Sequence, residues 1–279
     1  YMDQQRTDLY TLKTLEFLQQ FNYERYHAMK IVDIFNDNNH SGLVMQVIED
    51  EEHVYVCFRG SELLDEEYHR CGWEDWEDNL DIFLSVTAQQ LLALKYFQTI
   101  DFHHKRIILL GHSKGGNLAL CLSLICPAEL LDQIEAVYAF NAPGINPDML
   151  EMYQQRSSDP SYLDKLHLIE NEHDVVSAFF KHLKEPIILA SCYDDRNLQQ
   201  LCHAHQVYAY QMDQEGFVFV KHKSRMPKLM EAAINQVFMK QSKERRIAFI
   251  NDCLGYLHTN QSMPTIYTLF IQRIEIGRA

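Results

Sequence analysis

Basic residues are scarce in this sequence. Its 279 residues include 25 Lys and Arg against 39 Asp and Glu, a formal net charge of −14. Surfaces for nucleic acid or anionic membranes need clustered Lys and Arg. The one basic cluster, Lys243-Glu-Arg245-Arg246, is small and reads as a solvated helix face, so no nucleic-acid partner is expected. Long apolar runs are missing too: none approaches the roughly 20 residues that span a bilayer, which argues against stable membrane insertion. The stretch Tyr1 to Arg6 lacks a signal-peptide h-region, and a cytoplasmic protein is expected. Only 7 Pro and 10 Gly punctuate the chain, with no repeat, linker or low-complexity tract. A single domain over residues 1–279 is the expectation. The seven cysteines are odd in number and scattered, with no C-x-x-C, and read as reduced core residues. What the chain has is core material: it is 47% hydrophobic and 11% aromatic, a composition that excludes intrinsic disorder.

Periodicity outlines the elements. Leu9, Leu12, Leu15 and Leu18 recur at helical spacing, and a polar turn at Asn36-Asp-Asn-Asn39 precedes a β-type run, Gly42 to Ile48. The acidic turn at Glu49 to Glu52 leads into Val54-Tyr-Val-Cys-Phe58, which predicts a β-hairpin. Helix and strand then alternate: helix at Gln89 to Phe97, strand at Arg106 to Leu110, helix from Lys114 to about Ile125, strand at Ala136 to Phe140. Such alternation signals an α/β sheet with covering helices. Further strands are expected at Lys165 to Ile169 and Pro186 to Ala190, then a second hairpin from Gln206–Gln211 to Phe217–Val220, giving seven or eight strands. After Pro227, Met226, Leu229, Met230, Ala233, Ile234 and Val237 share one helical face, and Ile247, Ile250, Leu254 and Leu257 another. These C-terminal helices, about 226–273, are candidates to close the core, cover a site, or pair two copies in a homo-oligomer.

The sharpest chemical signal is Gly111-His112-Ser113-Lys114-Gly115, a G-x-S-x-G between an apolar β-run and a helix-forming run, the context that motif requires. A serine hydroxyl becomes a useful nucleophile when it projects from a tight strand-to-helix turn, where glycines on either side permit close backbone approach. Ser113 would then sit at a helix N-terminus. There the N–H of Lys114 can donate to the oxyanion of a tetrahedral intermediate.

With this elbow, Val54-Tyr-Val-Cys-Phe-Arg-Gly-Ser61, Asp75-Trp76-Glu-Asp-Asn-Leu80 and Phe140-Asn-Ala-Pro-Gly144 make a segment, about 42–220, that resembles the class 3 lipase group of α/β-hydrolases. It is most similar to a bacterial branch of lipase-like proteins. The resemblance implies an α/β-hydrolase domain with a central, mostly parallel sheet and flanking helices. It also implies that Ser61, after the Phe-Arg-Gly turn, supplies the other oxyanion N–H.

In α/β-hydrolases the triad runs Ser, acid, His along the chain, so the acid lies beyond residue 113. The segment Leu166 to Ser177 resembles the family stretch in which a strand ends in a loop carrying the acid. That selects Asp174, with Glu170 and Glu172 close enough to compete. Of the downstream histidines His182, His203, His205, His222 and His258, the resemblance selects His205, followed five residues later by Tyr210, with His203 as its competitor.

Other tempting features carry less. His203-x-His205 has no flanking ligand set for a metal, and His103-His104 reads as a solvated loop. Lys114 is not at the S-x-x-K spacing of a Ser–Lys mechanism. Its side chain is expected to face solvent, where it could attract an anionic substrate group. Trp73 and Trp76 fall in an acidic loop between Ser61 and Leu80, where class 3 lipases carry a lid; Trp76 is expected at the core edge. So much negative charge suits a small-molecule or lipid-like ester better than an emulsified triglyceride. The expectation is a cofactor-independent serine hydrolase acting on carboxylic esters through Ser113, Asp174 and His205. The same constellation serves amide and thioester hydrolysis and acyl transfer. The rival is a non-catalytic hydrolase-fold protein that binds a ligand or partner.

Overall fold

Alternating apolar residues turn one face of a hairpin inward. In β2 (Val44–Glu49) and β3 (His53–Phe58), Met45, Val47, Val54, Val56 and Phe58 are buried. The structure is a computed structural model and describes residues 9–21, 28–61 and 73–260. Its main sheet has seven strands in sequential order: β1 (Lys30–Asn36), β2, β3, β4 (Arg106–His112), β5 (Ile134–Phe140), β6 (Leu166–Asn171) and β7 (Ile187–Leu189). The pairs β1–β2 and β2–β3 are antiparallel, and every later pair is parallel. Helices α1 (Leu9–Leu18), α2 (Trp73–Asp81), α3 (Ala88–Phe97) and α4 (Lys114–Ile125) accompany the first half of the sheet. This is the mostly parallel, helix-flanked α/β sheet that the alternation of strands and helices predicts.

Helix α4 is the centrepiece. Every residue from Lys114 to Leu124 is buried, as befits a helix made mostly of apolar and small residues, with Lys114, Asn117 and Ser123 as its buried polar groups. It packs on β3, β4 and β5 and against α3, within the core built from Val56, Ile107, Leu109, Leu118, Leu122 and Val137. The C-terminal part forms a second core. Helices α5 (Leu198–Ala204), α6 (Arg225–Ala232) and α7 (Lys243–Asn260), with a π-helical turn at Ala233–Phe238, follow the sheet. Met230, Ile234, Phe238, Ile250 and Cys253 pack on Leu80 of α2, on Phe83 just after it, and on Val175 and Phe180. The C-terminal helices therefore close over α2 and the loop that follows β6. Leu229 of the expected apolar face is instead 51% exposed. The expected continuation to residue 273 lies beyond 260, outside the described residues.

Several expectations need correction. The stretch 73–81 is helix, not loop; it can carry Asp75 and Asp78 inward because a buried cation meets them. The rest of the expected lid, 62–72, and Cys71 lie outside the described residues. Gln206 to Gln211 is not a strand: it holds a 3-10 turn at Val207–Ala209, and the hairpin shrinks to Met212–Asp213 paired with Gly216–Phe217. Tyr208, Ala209 and Tyr210 are buried consecutively, which a half-buried strand cannot achieve. Strand β1 was not anticipated; its Ile31, Val32 and Ile34 are all exposed at the sheet edge, so no alternation marks it. Leu12, Leu15 and Leu18 of α1 do not form its packed face, since all three are exposed while Phe17 is buried. Arg246 is buried rather than solvated, donating to the Phe83 carbonyl at 3.0 Å. Cys192 is exposed, unlike the buried Cys121, Cys126 and Cys253.

Candidate active site

The site begins with the turn between β4 and α4. Ser113 has φ 57° and ψ −128°, a conformation that costs a non-glycine residue about 1–3 kcal/mol and aims the side chain out of the sheet. Two glycines permit the turn. A Cβ on Gly111 would lie 2.2 Å from the Gly115 carbonyl carbon, and one on Gly115 would lie 2.2 Å from the Phe58 carbonyl oxygen. The Ser113 N–H donates to the Phe140 carbonyl at 2.8 Å, which ties the turn to the end of β5.

The structure brings Ser113, His205 and Asp174 together from three elements. The Ser113 hydroxyl lies 2.9 Å from His205 Nε2, and His205 Nδ1 lies 2.8 Å from Asp174 Oδ1. A carboxylate only accepts, so Nδ1 carries the proton and Nε2 is left to accept from serine. His205 caps α5 and keeps 15% side-chain exposure, Ser113 is half-buried, and Asp174 is fully buried. Asp174 also accepts from the Val176 N–H at 3.2 Å and the Ser177 N–H at 2.8 Å. Burial alone would raise its pKa. The His205 imidazole beside it, with Lys223 and Ser177, outweighs that and holds the carboxyl below its ordinary value. A hydroxyl aimed at an imidazole so oriented can surrender its proton to that ring as it attacks an electrophile.

The competing residues go elsewhere. His203 is buried, with Nδ1 2.7 Å from the Tyr208 hydroxyl and its ring stacked on Tyr193. His203 and His205 therefore face different partners, and among the described residues no three His, Cys, Asp or Glu side chains converge as a metal site requires. Glu170 is buried against His182 at 2.9 Å and against the Lys223 ammonium. Glu172 accepts from the Ser191 N–H at 3.0 Å. His222 is exposed and the His258 side chain lies outside the described residues.

Lys114 directly follows Ser113, and Ser61 ends the loop that runs beside the turn. In register, Phe58 of β3 pairs with Gly111 of β4, which sets the loop Arg59-Gly60-Ser61 beside the elbow; a Cβ on Gly60 would lie 3.6 Å from Ser113 Cβ. The Ser61 hydroxyl accepts from Asn79 Nδ2 of α2 at 2.7 Å. Lys114 opens α4, where the first-turn amides have no intrahelical acceptor. Its side chain overturns the expectation of a solvent-facing lysine. The ammonium is buried, 3.3 Å from Asp75 Oδ1 and 3.2 Å from Asp78 Oδ2, and it donates to the Asp75 carbonyl at 3.0 Å. With two carboxylates already in hand, it is not presented to a substrate anion. Trp76 packs at the edge of the second core, as expected.

Residues 21–254 match the Mbeg1-like family model. The chain belongs to the Mbeg1-like family. No curated protein matches it significantly. Solved structures similar to this Mbeg1-like chain include a Rhizomucor miehei lipase propeptide complex, at 16% identity over 61% of this chain and 59% of that one, TM-score 0.40. Lipase II from Rhizopus niveus is 17% identical over 60% and 68%, TM-score 0.40, and a triacylglycerol lipase from Penicillium expansum 14% identical over 73% and 86%, TM-score 0.38. The chain thus spans 59% of the length of the Rhizomucor protein it matches.

Two residues of the Mbeg1-like site escaped the sequence reading. His112 Nε2 donates to the backbone carbonyl of His205 at 2.7 Å, and Asn141 Nδ2 donates to the same oxygen at 2.8 Å. One carbonyl, held by the ends of β4 and β5, fixes His205 in place. Burial and the neighbouring His205 lower the His112 pKa to about 4, so the ring is neutral at pH 7. Asn141 also accepts from the Asn171 N–H at 2.7 Å and sits at φ 45°, a conformation asparagine tolerates better than most residues. Both lie within quoted motifs, at the variable position of the elbow and in Phe140-Asn-Ala-Pro-Gly144. Their contacts, 93 and 64 residues away in sequence, are non-local.

Proposed function

We propose that this chain is a serine hydrolase that cleaves carboxylic esters through an acyl-enzyme on Ser113. The observation that carries the reading is the hydrogen-bonded line Asp174–His205–Ser113, at 2.8 and 2.9 Å. Ser113 Oγ attacks the ester carbonyl as its proton passes to His205 Nε2. Asp174 orients the ring and stabilises the imidazolium without taking the proton. The N–H groups of Ser61 and Lys114 receive the oxyanion, and His205 then protonates the departing alkoxide, leaving the acyl group on Ser113. Water, deprotonated by the same histidine, attacks the acyl carbonyl; the acid leaves and Ser113 regains its proton. No cofactor enters these steps, and the substrate is a small-molecule or lipid-like ester.

The test is steady-state hydrolysis of p-nitrophenyl esters of increasing acyl length by the protein and its Ser113→Ala variant. Saturable turnover that the variant loses by about 10³-fold or more supports the reading. A folded protein that turns over no ester faster than the variant would overturn it, and the non-catalytic binding protein would then be the better account.

A further inference from the structure

The proposed oxyanion donors come from separate elements, the loop after β3 and the start of α4. One buried charge network touches both. The Lys114 ammonium lies between Asp75 and Asp78, one turn apart on α2. Asp75 Oδ2 also accepts from Arg59 Nη2 at 3.2 Å, and Arg59 is two residues from Ser61. The same Nη2 donates to Asn38 Oδ1 and to the Gly42 carbonyl, which secures the loop from the other side. Asp75 Oδ1 accepts from Gln89 Nε2 at 3.0 Å, and Asp78 accepts from the Thr87 hydroxyl at 2.9 Å and the Gln89 N–H at 3.2 Å. Two cations thus meet two carboxylates, and α2 is anchored to the elbow, to the β3 loop and to the start of α3. One residue beyond Asp78, Asn79 holds the Ser61 hydroxyl at 2.7 Å.

We infer that the Lys114 side chain is a positioning residue for the oxyanion site: through Asp75 and Asp78 it fixes α2, and through Asn79 and Arg59 it sets Ser61 against the Lys114 amide. The inference rests on the ester-hydrolase reading and adds to it a task for a side chain remote from the reacting atoms. A buried ion pair need not exist for stability, since apolar replacement of such pairs is often neutral. Its value here is geometric: donors must stand about 2.7–3.1 Å from where the oxyanion forms. The same residue supplies one donor from its backbone and aligns the other with its side chain.

The test uses the charge-balanced pair Lys114→Met with Asp78→Asn, which removes one cation and one anion. The amide at position 78 can still accept from the Gln89 N–H and donate to the Thr87 hydroxyl. The expected result is a folded protein whose kcat on a p-nitrophenyl ester falls about 10- to 100-fold with KM unchanged, a loss within what one oxyanion donor is worth. Asn79→Ala, which cuts the link to Ser61 and leaves the ion network alone, should lower kcat similarly. Combining it with the pair should add little further loss, because both changes break one chain of contacts. Full additivity, or a kcat within twofold of the parent in the folded pair, would refute the inference while leaving the hydrolase reading intact. An inactive parent protein would refute the hydrolase reading instead. Should the pair not fold, Lys114→Arg, which keeps the charge, enters the same cycle with Asn79→Ala, and additivity there refutes the inference equally.

Discussion

Replacing Asp174 by Asn tests how the buried carboxylate works, because its three contacts cannot all survive. Oδ1 accepts from His205 Nδ1 at 2.8 Å and from the Val176 N–H at 3.2 Å, and Oδ2 accepts from the Ser177 N–H at 2.8 Å. An asparagine has one acceptor oxygen and one donor amide. With the oxygen toward His205, the amide meets the Ser177 N–H, two donors 2.8 Å apart. With the oxygen toward Ser177, the amide meets the more distant Val176 N–H and donates to His205 Nδ1. The second arrangement relieves the shorter clash, and it forces the proton onto Nε2, where it blocks transfer from Ser113. The expected loss in kcat/KM is about 10⁴-fold, or roughly 5.4 kcal/mol in the barrier. One poorly satisfied buried N–H should also cost about 1–3 kcal/mol of stability. Ester turnover and thermal unfolding of the same preparations measure both. A folded Asp174→Asn variant that keeps more than a tenth of the parent activity would refute the tautomer argument.

Three further outcomes follow from the same geometry. His112 is neutral in the fold with a pKa of about 4, below the ordinary 6.5, so the unfolded chain binds more protons between those values and stability falls on acidification through that window. His112→Gln, which keeps a donor near Nε2 but does not titrate, should lose less stability than the parent between pH 7 and pH 5 in denaturant titrations; parallel curves would contradict the assignment. Gly115→Ala places a Cβ 2.2 Å from the Phe58 carbonyl oxygen, and since backbone on both sides must shift, soluble folded yield should drop sharply; a normal melting temperature would show that the turn is looser than described. Asn141→Ala strips one of two donors from the His205 carbonyl and the acceptor from the Asn171 N–H. It should cost about 1–3 kcal/mol of stability and lower kcat more than it raises KM; unchanged kinetics would remove Asn141 from the site.

Local signals carried much of the fold. Helix α4 begins at Lys114 and ends at Ile125 as its apolar run and elbow imply, and the hairpin of β2 and β3 follows its alternation. Where burial does not alternate, the pattern misleads. Strand β1 exposes Ile31, Val32 and Ile34 together, and Tyr208 to Tyr210 bury three in a row. The meeting of Ser113, Asp174 and His205 was legible because chain order and the family resemblance restrict the choice. The fixture around it was not. Lys114 finds Asp75 across 39 residues, and Arg246 reaches Phe83 across 163, so a charge that reads as solvated by composition is buried once the sheet brings its partners near. A buried lysine announces itself only through its carboxylates, and Asp75 and Asp78 read as members of an acidic loop.

The central claim is that Ser113 is an activated nucleophile. Intact-mass analysis after incubation with a fluorophosphonate reads it most directly, run on the parent and on Ser113→Ala side by side, with peptide mapping of the adduct. The account predicts one adduct per chain, on Ser113, absent from the variant. No adduct on a folded parent, or an adduct that persists in the variant, would contradict it.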